Sequence, residues 1–297
     1  MFSSHKSKIQ HINLDHLSIS LSIKREDLLH EFVSGNKFRK LKYNIAFAKT
    51  GGFNQILTFG GAFSNHISAT AAAGQLNNIK TIGVIRGEEL DSNSNATLRF
   101  AKQCGMELIF VNRDAYRLKE ASTFVKTHIT DKTFVVPEGG TNALAIKGCQ
   151  EILDSETSSY DYICTSVGTG GTISGIINAS LPHQKIVGFS ALKGDFLIED
   201  ISKFATNTNW ELQTDYHFGG YGKIKPELIS FINQFKENNN ISLDPIYTGK
   251  MMFGIFDLLS KGYFKEDSKI LAIHTGGLQG IKGMNAFLTK KKLPTLI

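Results

Sequence analysis

Residues 162–177 read YICTSVGTGGTISGII, and this stretch decides the class of fold. Its first residues form an apolar run that is typical of a buried strand, and the apolar run from Ile173 onward predicts a helix. Between the two runs lies a glycine-rich turn formed by Gly168, Thr169, Gly170, Gly171 and Thr172. A strand that enters a helix through such a turn is typical of α/β proteins with parallel strands.

The glycine-rich turn also predicts a site for an anion. Its backbone N–H groups and the positive end of the following helix would face a bound phosphate. The dinucleotide fingerprint G-x-G-x-x-G is incomplete because Ile173 stands where its last glycine belongs, and no P-loop lysine follows. The phosphate of a smaller cofactor is therefore the better interpretation, and a turn that serves only packing is the alternative.

Similar apolar runs recur along the chain, separated by stretches long enough for helices. They lie at residues 17–23, 55–59, 80–86, 107–111, 133–136, 160–166, 185–189 and 269–274. This alternation predicts α/β layers built on parallel strands. Three successive strand–loop–helix units predict a small α/β domain at 46–137, inserted into a large cofactor-binding domain formed by 1–45 and 138–297.

The composition is that of a folded protein, and its positive charge suits a small anionic ligand better than a nucleic acid. Of 297 residues, 41% are hydrophobic and 20% are charged, and the net charge is +6. The basic residues are spread along the chain, so no nucleic-acid-binding module is indicated. Three widely spaced cysteines, each expected to be buried, indicate neither a disulfide framework nor a metal site.

The sequence carries no signal for secretion or for a membrane. Its first residues lack the apolar core of a signal peptide, and no run of about eighteen apolar residues occurs. We therefore expect a cytoplasmic protein.

Two neighbouring lysines are candidates for a covalent bond to the aldehyde of a cofactor. Residues 34–40 read SGNKFRK, in which the glycine and the asparagine permit close approach of a ligand. Neighbouring cations favour a lowered amine pKa, which makes a Schiff base easier to form. On these residues alone Lys37 and Lys40 both stay open, and a solvated surface charge is the alternative for each.

A second polar cluster follows the apolar run at 55–59. Residues 60–66 read GGAFSNH, in which the two glycines permit a substrate carboxylate to approach Ser64 and Asn65. Ser64 is also a natural helix N-cap, which is the alternative for this residue. His66 could help to hold the ligand or could be structural.

Two hydroxyl groups complete the set of candidates. Tyr247 lies in the turn DPIYTGK at 244–250, where a buried tyrosine packs or, in a cofactor cleft, acts as acid or base. Thr275 follows the last apolar run, in IHTGG at 273–277, and its hydroxyl can form a hydrogen bond with a ring nitrogen.

Taken in order, these segments resemble the fold type II pyridoxal-phosphate enzymes, in particular the branch of 1-aminocyclopropane-1-carboxylate deaminases and D-cysteine desulfhydrases. The resemblance covers nearly the whole chain. It rests on KRED at 24–27, GNKxRKL at 35–41, GGxxSN at 60–65, PEGGTN at 137–142, DPxYxGK at 244–250 and HTGG at 274–277. It implies a homodimer and a fold like that of the tryptophan synthase β subunit, with two open, twisted, mostly parallel sheets flanked by helices.

The resemblance implies a role for each residue near the cofactor, pyridoxal 5'-phosphate. Lys37, rather than Lys40, would carry the cofactor, and the glycine-rich turn would hold its phosphate. Asn65 would bond its phenolic oxygen, and Thr275 would meet its pyridine nitrogen. A hydroxyl rather than a carboxylate at that nitrogen means that the ring need not be protonated, which favours β-elimination or ring opening over transamination.

By the same resemblance, four side chains would contact a small amino-acid substrate. Ser64 and Asn65 would meet its carboxylate, with Ser64 also moving a proton, while His66 would lie beside the substrate and Tyr247 over its face. Deaminases acting on 1-aminocyclopropane-1-carboxylate are expected to carry a tyrosine two positions before the histidine of the last strand, where this chain has Ala272. We therefore predict α,β-elimination of a small D-amino acid such as D-cysteine, giving pyruvate, ammonia and sulfide.

Two alternatives to this chemistry stay open. The first is deamination of 1-aminocyclopropane-1-carboxylate, in which ring opening gives 2-oxobutyrate and ammonia. The second belongs to another class, a phosphate- or nucleotide-binding protein without catalysis, in which Lys37 only neutralises the bound anion.

Overall fold

Strand β7 (Tyr162–Val167) and helix α7 (Gly171–Ala179) form the strand, turn and helix that the sequence predicts. In the computed structural model, which describes residues 7–14 and 17–297, every residue of β7 is buried. The turn passes through Gly170, whose φ of 78° lies in the left-handed region that favours glycine. Helix α7 therefore begins directly beyond the carboxyl end of β7.

The other strands follow the remaining apolar runs, with two additions that the sequence analysis missed. Both additions, β1 and β9, are short strands at the two edges of one sheet. The bounds are β1 Ile9–Ile12, β2 Ser20–Lys24, β3 Gln55–Gly61, β4 Lys80–Arg86, β5 Glu107–Val111, β6 Thr133–Val136, β8 Lys185–Ser190, β9 Trp210–Gln213 and β10 Lys269–Ile273.

Helices occupy most of the segments between the strands. Across the two described ranges, no helix combines the length and the apolar character that crossing a bilayer would require. The bounds are α1 Asn36–Thr50, α2 Asn65–Asn77, α3 Ala96–Gln103, α4 Arg113–Leu118, α5 Thr123–Lys126, α6 Ala143–Gln150, α8 Leu197–Ser202, α9 Pro226–Asn239, α10 Thr248–Ser260 and α11 Gly280–Lys290.

The strands form two separate sheets. The larger has the strand order β1-β2-β10-β7-β8-β9, and the smaller has the order β5-β4-β3-β6. All neighbouring strands pair in parallel except β1 with β2, which are antiparallel. The predicted α/β fold of two mostly parallel sheets flanked by helices is confirmed.

Helix α1 joins the two parts of the structure. It packs against α2, beside the smaller sheet, and also against α6. Its inner face buries Phe38, Leu41 and Ile45, each of which contributes roughly 1.5–3 kcal/mol by leaving water. This packing fixes the start of α1, where Lys37 lies.

We propose the domain division expected from the sequence, with 46–137 inserted between 1–45 and 138–297. Strands β3 to β6 all lie within 46–137, and the other strands lie outside it. The cut after residue 45 falls within α1, so this helix would be shared by both domains. Hydrogen exchange would test the division, because two domains should open as two cooperative units and a single domain as one.

The first predicted strand differs from the observed one. The sequence predicted a strand at 17–23, but β2 spans Ser20–Lys24, and Leu17 is 50% exposed. The ladder between β2 and β10 begins only at Ser20. Lys24, at the other end of β2, is a charged residue that is nevertheless buried. Its burial is possible because its ammonium donates to the carboxylate of Asp154 at 2.8 Å.

The cysteines agree with the sequence analysis in two of three cases. All three are free, and Cys149 and Cys164 are buried as predicted. Cys104 is only partly buried: it caps the carboxyl end of α3 and packs against the edge of the hydrophobic core.

Candidate active site

A cavity of about 500 Å³ lies where the carboxyl ends of β3, β4 and β7 meet the segment that follows β10. Small-molecule sites commonly have volumes of roughly 300–1,000 Å³ and lie beyond the carboxyl ends of parallel strands. Every candidate residue from the sequence analysis lines this cavity: Lys37, Ser64, Asn65, His66, the five residues of the glycine-rich turn, Tyr247 and Thr275.

Lys37 reaches the cavity because α1 begins unusually close to the segment after β10. Gly35 precedes the helix with a φ of 62°, and a Cβ built on it would lie 2.0 Å from the carbonyl oxygen of Thr275. The backbone N–H of Asn36 donates to that same carbonyl at 3.2 Å. Only glycine permits this approach, which places Lys37 next to Thr275.

The amine of Lys37 is held in a form suited to bond formation. Its Nζ donates to Asn36 Oδ1 at 3.1 Å. Although the side chain is partly accessible from the cavity, the surrounding protein lowers the pKa of the amine from 10.5 to about 7, first by desolvation and then by the charge of Lys40. A large share of the amine is therefore neutral and nucleophilic at physiological pH.

We expect the Lys37 amine of the cofactor-free protein to titrate near pH 7. Competitive acetylation read by peptide mass spectrometry should show half-maximal labelling of Lys37 near pH 7, with the peptide of the exposed Lys49 at the other end of α1 as the internal comparison. Unfolding restores the ordinary pKa of 10.5, so the unfolded chain binds more protons between about 7 and 10.5. Through this group, folding stability rises with pH in that window. A Lys37 midpoint near 10 would contradict the assignment.

The glycine-rich turn leaves space for a ligand and is braced from both sides. Thr172 Oγ1 accepts a hydrogen bond from Asn36 Nδ2 at 2.8 Å, which connects the turn to the residue before Lys37. A Cβ built on Gly171 would lie 2.7 Å from Thr141 Oγ1, so this position admits no side chain. The free N–H groups at the start of α7 then give the turn the donors that a phosphate requires.

Lys40 supplies a buried positive charge beside the same turn. It is 2% exposed, and its Nζ donates to the carbonyl of Gly139 at 2.9 Å and to Thr141 Oγ1 at 3.2 Å. Within the described ranges no carboxylate pairs with this ammonium, and burial lowers its pKa. A buried cation without a counter-ion fits an anionic ligand. The sequence analysis considered Lys40 only as a rival of Lys37, although their spacing of three places both on one helix face.

Ser64 and Asn65 begin α2 and combine two functions. Ser64 Oγ accepts a hydrogen bond from the backbone N–H of Ile67 at 3.3 Å, so Ser64 is the N-cap of α2, as the alternative interpretation of this residue stated. The Ser64 hydroxyl proton is still able to donate to a ligand. Asn65 Oδ1 accepts from Gln279 Nε2 at 2.8 Å, and the amide nitrogen of Asn65 lies beside Gly277, the residue after the cavity-lining Gly276.

His66 is buried and neutral. The hydroxyl of Thr58 donates to the carbonyl of Val136 at 2.7 Å, so it must accept from His66 Nε2 at 2.8 Å. Nδ1 then carries no proton, and it has no partner in the described part of the chain. Burial, followed by the charges of Lys37 and Lys40, holds the pKa of His66 well below 6.5. Because Nδ1 is unprotonated and buried beside Gly140, this ring cannot donate a hydrogen bond to a carboxylate.

Tyr247 contacts a second tyrosine, Tyr221, and both line the cavity. Burial, and next the charge of Tyr221, raises the pKa of Tyr247 well above 10. The rings of Tyr221 and Tyr247 lie 6.1 Å apart. Lys250 fixes the loop that carries Tyr221, because its Nζ donates to the carbonyls of His217 and Gly220 at 2.8 and 2.9 Å. Sequence reasoning missed Tyr221, although an aromatic residue within GGYG was a signal for an exposed ring.

Thr275 is paired with a residue that the sequence analysis did not select. Its Oγ1 lies 3.0 Å from Ser166 Oγ, and both hydroxyls line the cavity. His274 orients this segment, since its Nδ1 accepts from the backbone N–H of Gly276 at 3.2 Å. Ala272, by contrast, is a residue of β10 whose side chain is buried in the hydrophobic core, and it does not line the cavity.

Comparison with known proteins identifies the family. The chain matches the family described as "Pyridoxal-phosphate dependent enzyme" over residues 7–276. A Pyrococcus horikoshii protein named "Putative 1-aminocyclopropane-1-carboxylate deaminase" is 32% identical over 281 residues, covering 87% of this chain and 84% of that protein. The D-cysteine desulfhydrase of Klebsiella pneumoniae subsp. pneumoniae is 29% identical over 290 residues, covering 89% of this chain and 88% of that enzyme.

A solved structure agrees with these sequence relatives. It is described as "Crystal Structure Analysis of the ACC deaminase homologue" and superposes with a TM-score of 0.85 at 28% identity, covering 97% of this chain and 94% of that one. The family match extends over nearly the whole of the chain that forms the two sheets and the cavity. The chain therefore belongs to the pyridoxal-phosphate dependent enzymes.

Proposed function

We propose that this enzyme catalyses α,β-elimination of a small D-amino acid such as D-cysteine. One D-cysteine and one water would give one pyruvate, one ammonium ion and one hydrogen sulfide. The observation that carries this proposal is the Lys37 amine, with a pKa of about 7, in the same cavity as the glycine-rich turn. An amine in this state can bond to a cofactor aldehyde and can later accept a proton.

The residues of the cavity fit pyridoxal 5'-phosphate. Lys40 and the N–H groups at the start of α7 together make a site for its phosphate. Asn65 has an amide nitrogen for its phenolic oxygen, and the paired hydroxyls of Thr275 and Ser166 suit a pyridine nitrogen that is not protonated. When bound, the cofactor draws electrons from the Cα atom of an attached amino acid and so makes the Cα–H bond acidic.

The side chains around the substrate then have separable tasks. Lys37 is the base for the Cα proton, and Ser64 with Asn65 binds the carboxylate. Because its Nε2 is bonded to Thr58 and its unprotonated Nδ1 is buried, His66 would lie beside the substrate without binding the carboxylate. Tyr247 keeps its proton at neutral pH, since its pKa is well above 10, and can donate it to the departing β-substituent.

A substrate panel with keto-acid detection tests the proposed reaction. We expect pyruvate and sulfide from D-cysteine at a higher kcat/KM than 2-oxobutyrate from 1-aminocyclopropane-1-carboxylate, because Tyr247 keeps a proton that it can donate to a departing thiolate. L-cysteine is the matched control for stereochemistry. A faster release of 2-oxobutyrate than of pyruvate would reverse the ranking.

The second candidate function is deamination of 1-aminocyclopropane-1-carboxylate. The names of the Pyrococcus horikoshii protein and of the similar solved structure favour it. Membership of an enzyme family argues against the remaining alternative, a phosphate-binding protein without catalysis. Borohydride treatment separates that alternative, since only a covalent Lys37–cofactor bond would leave a stable mass increase on the Lys37 peptide.

We also propose that the enzyme works as a homodimer in the cytoplasm. Large hydrophobic side chains such as Leu28, Phe32 and Phe63 are about half-exposed, and burial in a dimer would remove them from water. The three free cysteines suit a reducing compartment. Light scattering coupled to gel filtration tests the homodimer, and the mass of a monomer would contradict it. Cell fractionation tests the cytoplasmic location.

A further inference from the structure

Arg86 lies at the cavity but has no part in the function proposed above. It ends β4 and stands directly opposite Gly61 in the parallel pairing of β3 with β4. A Cβ built on Gly61 would lie 3.7 Å from Arg86 Nη2, so the absence of a side chain there leaves the guanidinium open to the cavity. Ser64, which we assign to the substrate carboxylate, follows Gly61 by three residues. Arg86 therefore lies one strand away from the proposed carboxylate site.

The positive charge of Arg86 is not neutralised by the protein. Among residues 7–14 and 17–297, no carboxylate pairs with its guanidinium, and its recorded contact is with the ring of Tyr116, 5.7 Å from Cζ to the centroid. Arginine offers a planar fork of donors that matches carboxylate, sulfonate and phosphate oxygens. A guanidinium that lines a ligand cavity with its donors free is suited to bind an anion there.

The acidic residues of the cavity are already engaged elsewhere. The Glu138 carboxylate accepts from the hydroxyl of Tyr116 at 2.6 Å and from Lys119 Nζ at 2.7 Å. The Asp200 carboxylate accepts from Lys203 Nζ at 2.8 Å. Since both carboxylates are paired with lysines, neither neutralises Arg86. The cavity therefore carries the positive charge of Arg86 in addition to the charge that Lys40 offers to a phosphate.

We propose that Arg86 binds an anionic group on the substrate side chain, so that the enzyme accepts amino acids with a negatively charged β-substituent such as a sulfonate or a phosphate ester. This proposal rests on the function proposed above and names the substrate class for that site. A carboxylate at Ser64 and a charged β-substituent at Arg86 would hold the substrate at both ends. Two-point binding of this kind fixes the orientation of Cα relative to Lys37.

The elimination balances for such substrates without an oxidant or a reductant. Lys37 takes the Cα proton, the bond between Cβ and the substituent breaks, and its electron pair leaves with the substituent. One water supplies the keto oxygen of pyruvate, and nitrogen leaves as ammonium. Cysteate would give pyruvate, ammonium and hydrogen sulfite, and O-phosphoserine would give pyruvate, ammonium and hydrogen phosphate.

Substrate selectivity of the cofactor-loaded variant Arg86→Gln tests the proposal. Cysteate and O-phosphoserine are each assayed as the D- and the L-enantiomer. For the enantiomer that reacts, Arg86→Gln should lower kcat/KM about 10- to 100-fold, because a charge-assisted hydrogen bond to the substrate is lost. For D-cysteine the change should stay within about threefold, since its thiol carries no full charge. Arg99→Gln on α3, which removes the same charge outside the cavity, should change neither value. Raising the ionic strength should weaken turnover of the anionic substrates in the wild type only.

A binding measurement separates this proposal from the proposed reaction. α-Methylaspartate and 2-aminoisobutyrate lack a Cα proton, so calorimetric titration of the loaded enzyme reports their binding without turnover. Arg86→Gln should weaken α-methylaspartate about tenfold or more and leave 2-aminoisobutyrate within about twofold.

The outcomes are distinct for the two proposals. If neither D-cysteine nor any anionic substrate reacts but the selective loss of α-methylaspartate binding is seen, the elimination is wrong and the anion site stands. An equal loss for charged and uncharged ligands would place Arg86 at the common carboxylate and overturn the proposal. Turnover of D-cysteine without binding or turnover of any anionic analogue would also overturn it.

Discussion

Replacing Lys37 with alanine is expected to lower kcat for elimination by about a thousandfold or more. The change removes both the amine that carries the cofactor and the base for the Cα proton, and each of these functions alone is worth roughly two or more orders of magnitude. The visible absorbance of lysine-bound cofactor at about 410–420 nm should disappear with the activity. Borohydride should then leave no mass increase on the peptide that contains residue 37.

Two other lysines of α1 serve as controls for this experiment. Lys49→Ala at the exposed end of the helix should keep the visible band and the activity, because its Nζ donates to Asn77, outside the cavity. Lys40→Ala should keep the borohydride-reducible bond at Lys37 but bind the cofactor more weakly, because the buried charge beside the glycine-rich turn is lost. If Lys37→Ala kept the band while Lys40→Ala lost it, the assignment of the two lysines would be reversed.

The sequence predicted the parts of the fold that depend on local patterns. Strands β4, β5 and β6 coincide with their apolar runs, and the five central residues of β4 are buried on both faces of the sheet, which requires small or apolar side chains. The edge strands β1 and β9 escaped prediction because they are short and carry polar residues such as His11 and Glu211. Their structure depends on the neighbouring strand, which no local pattern records.

The site divides in the same way. Lys37, Ser64 and Thr275 belong to motifs whose residues are consecutive, so their importance was visible before the structure. Three features of the site depend on segments far apart in the chain: the partners of Lys40, the contact between Tyr221 and Tyr247, and the position of Arg86 opposite Gly61. Such properties arise from tertiary packing, and a sequence pattern cannot give them. The motif KRED at 24–27 was likewise recognised without a role, and the structure supplies one for its glutamate.

Replacing Glu26 with alanine is expected to lower the free energy of unfolding by about 3–5 kcal/mol. The Glu26 carboxylate is fully buried and receives Arg39 Nε at 2.7 Å and Nη2 at 2.9 Å, and the hydroxyl of Ser7 at 2.5 Å. Arg39 is itself 5% exposed, so the variant leaves a buried guanidinium that has lost both of its hydrogen bonds to Glu26, with Glu151 Oε2 at 3.6 Å from Nη1. Urea denaturation at equal cofactor loading measures the loss as a lower midpoint at an unchanged slope.

The same substitution should also disturb the active site, because the Glu26–Arg39 pair anchors the start of α1. The carbonyl of Glu26 accepts the backbone N–H of Gly35 at 3.2 Å, and Arg39 lies two residues beyond Lys37. We therefore expect kcat to fall more than the protein's folded fraction does. Asp114→Ala is the matched control, since it breaks the exposed pair between Asp114 and Arg117 and should leave the midpoint and kcat nearly unchanged. A Glu26→Ala variant as stable as this control would show that the buried pair does not hold α1, and that the approach of Gly35 to Thr275 alone positions Lys37.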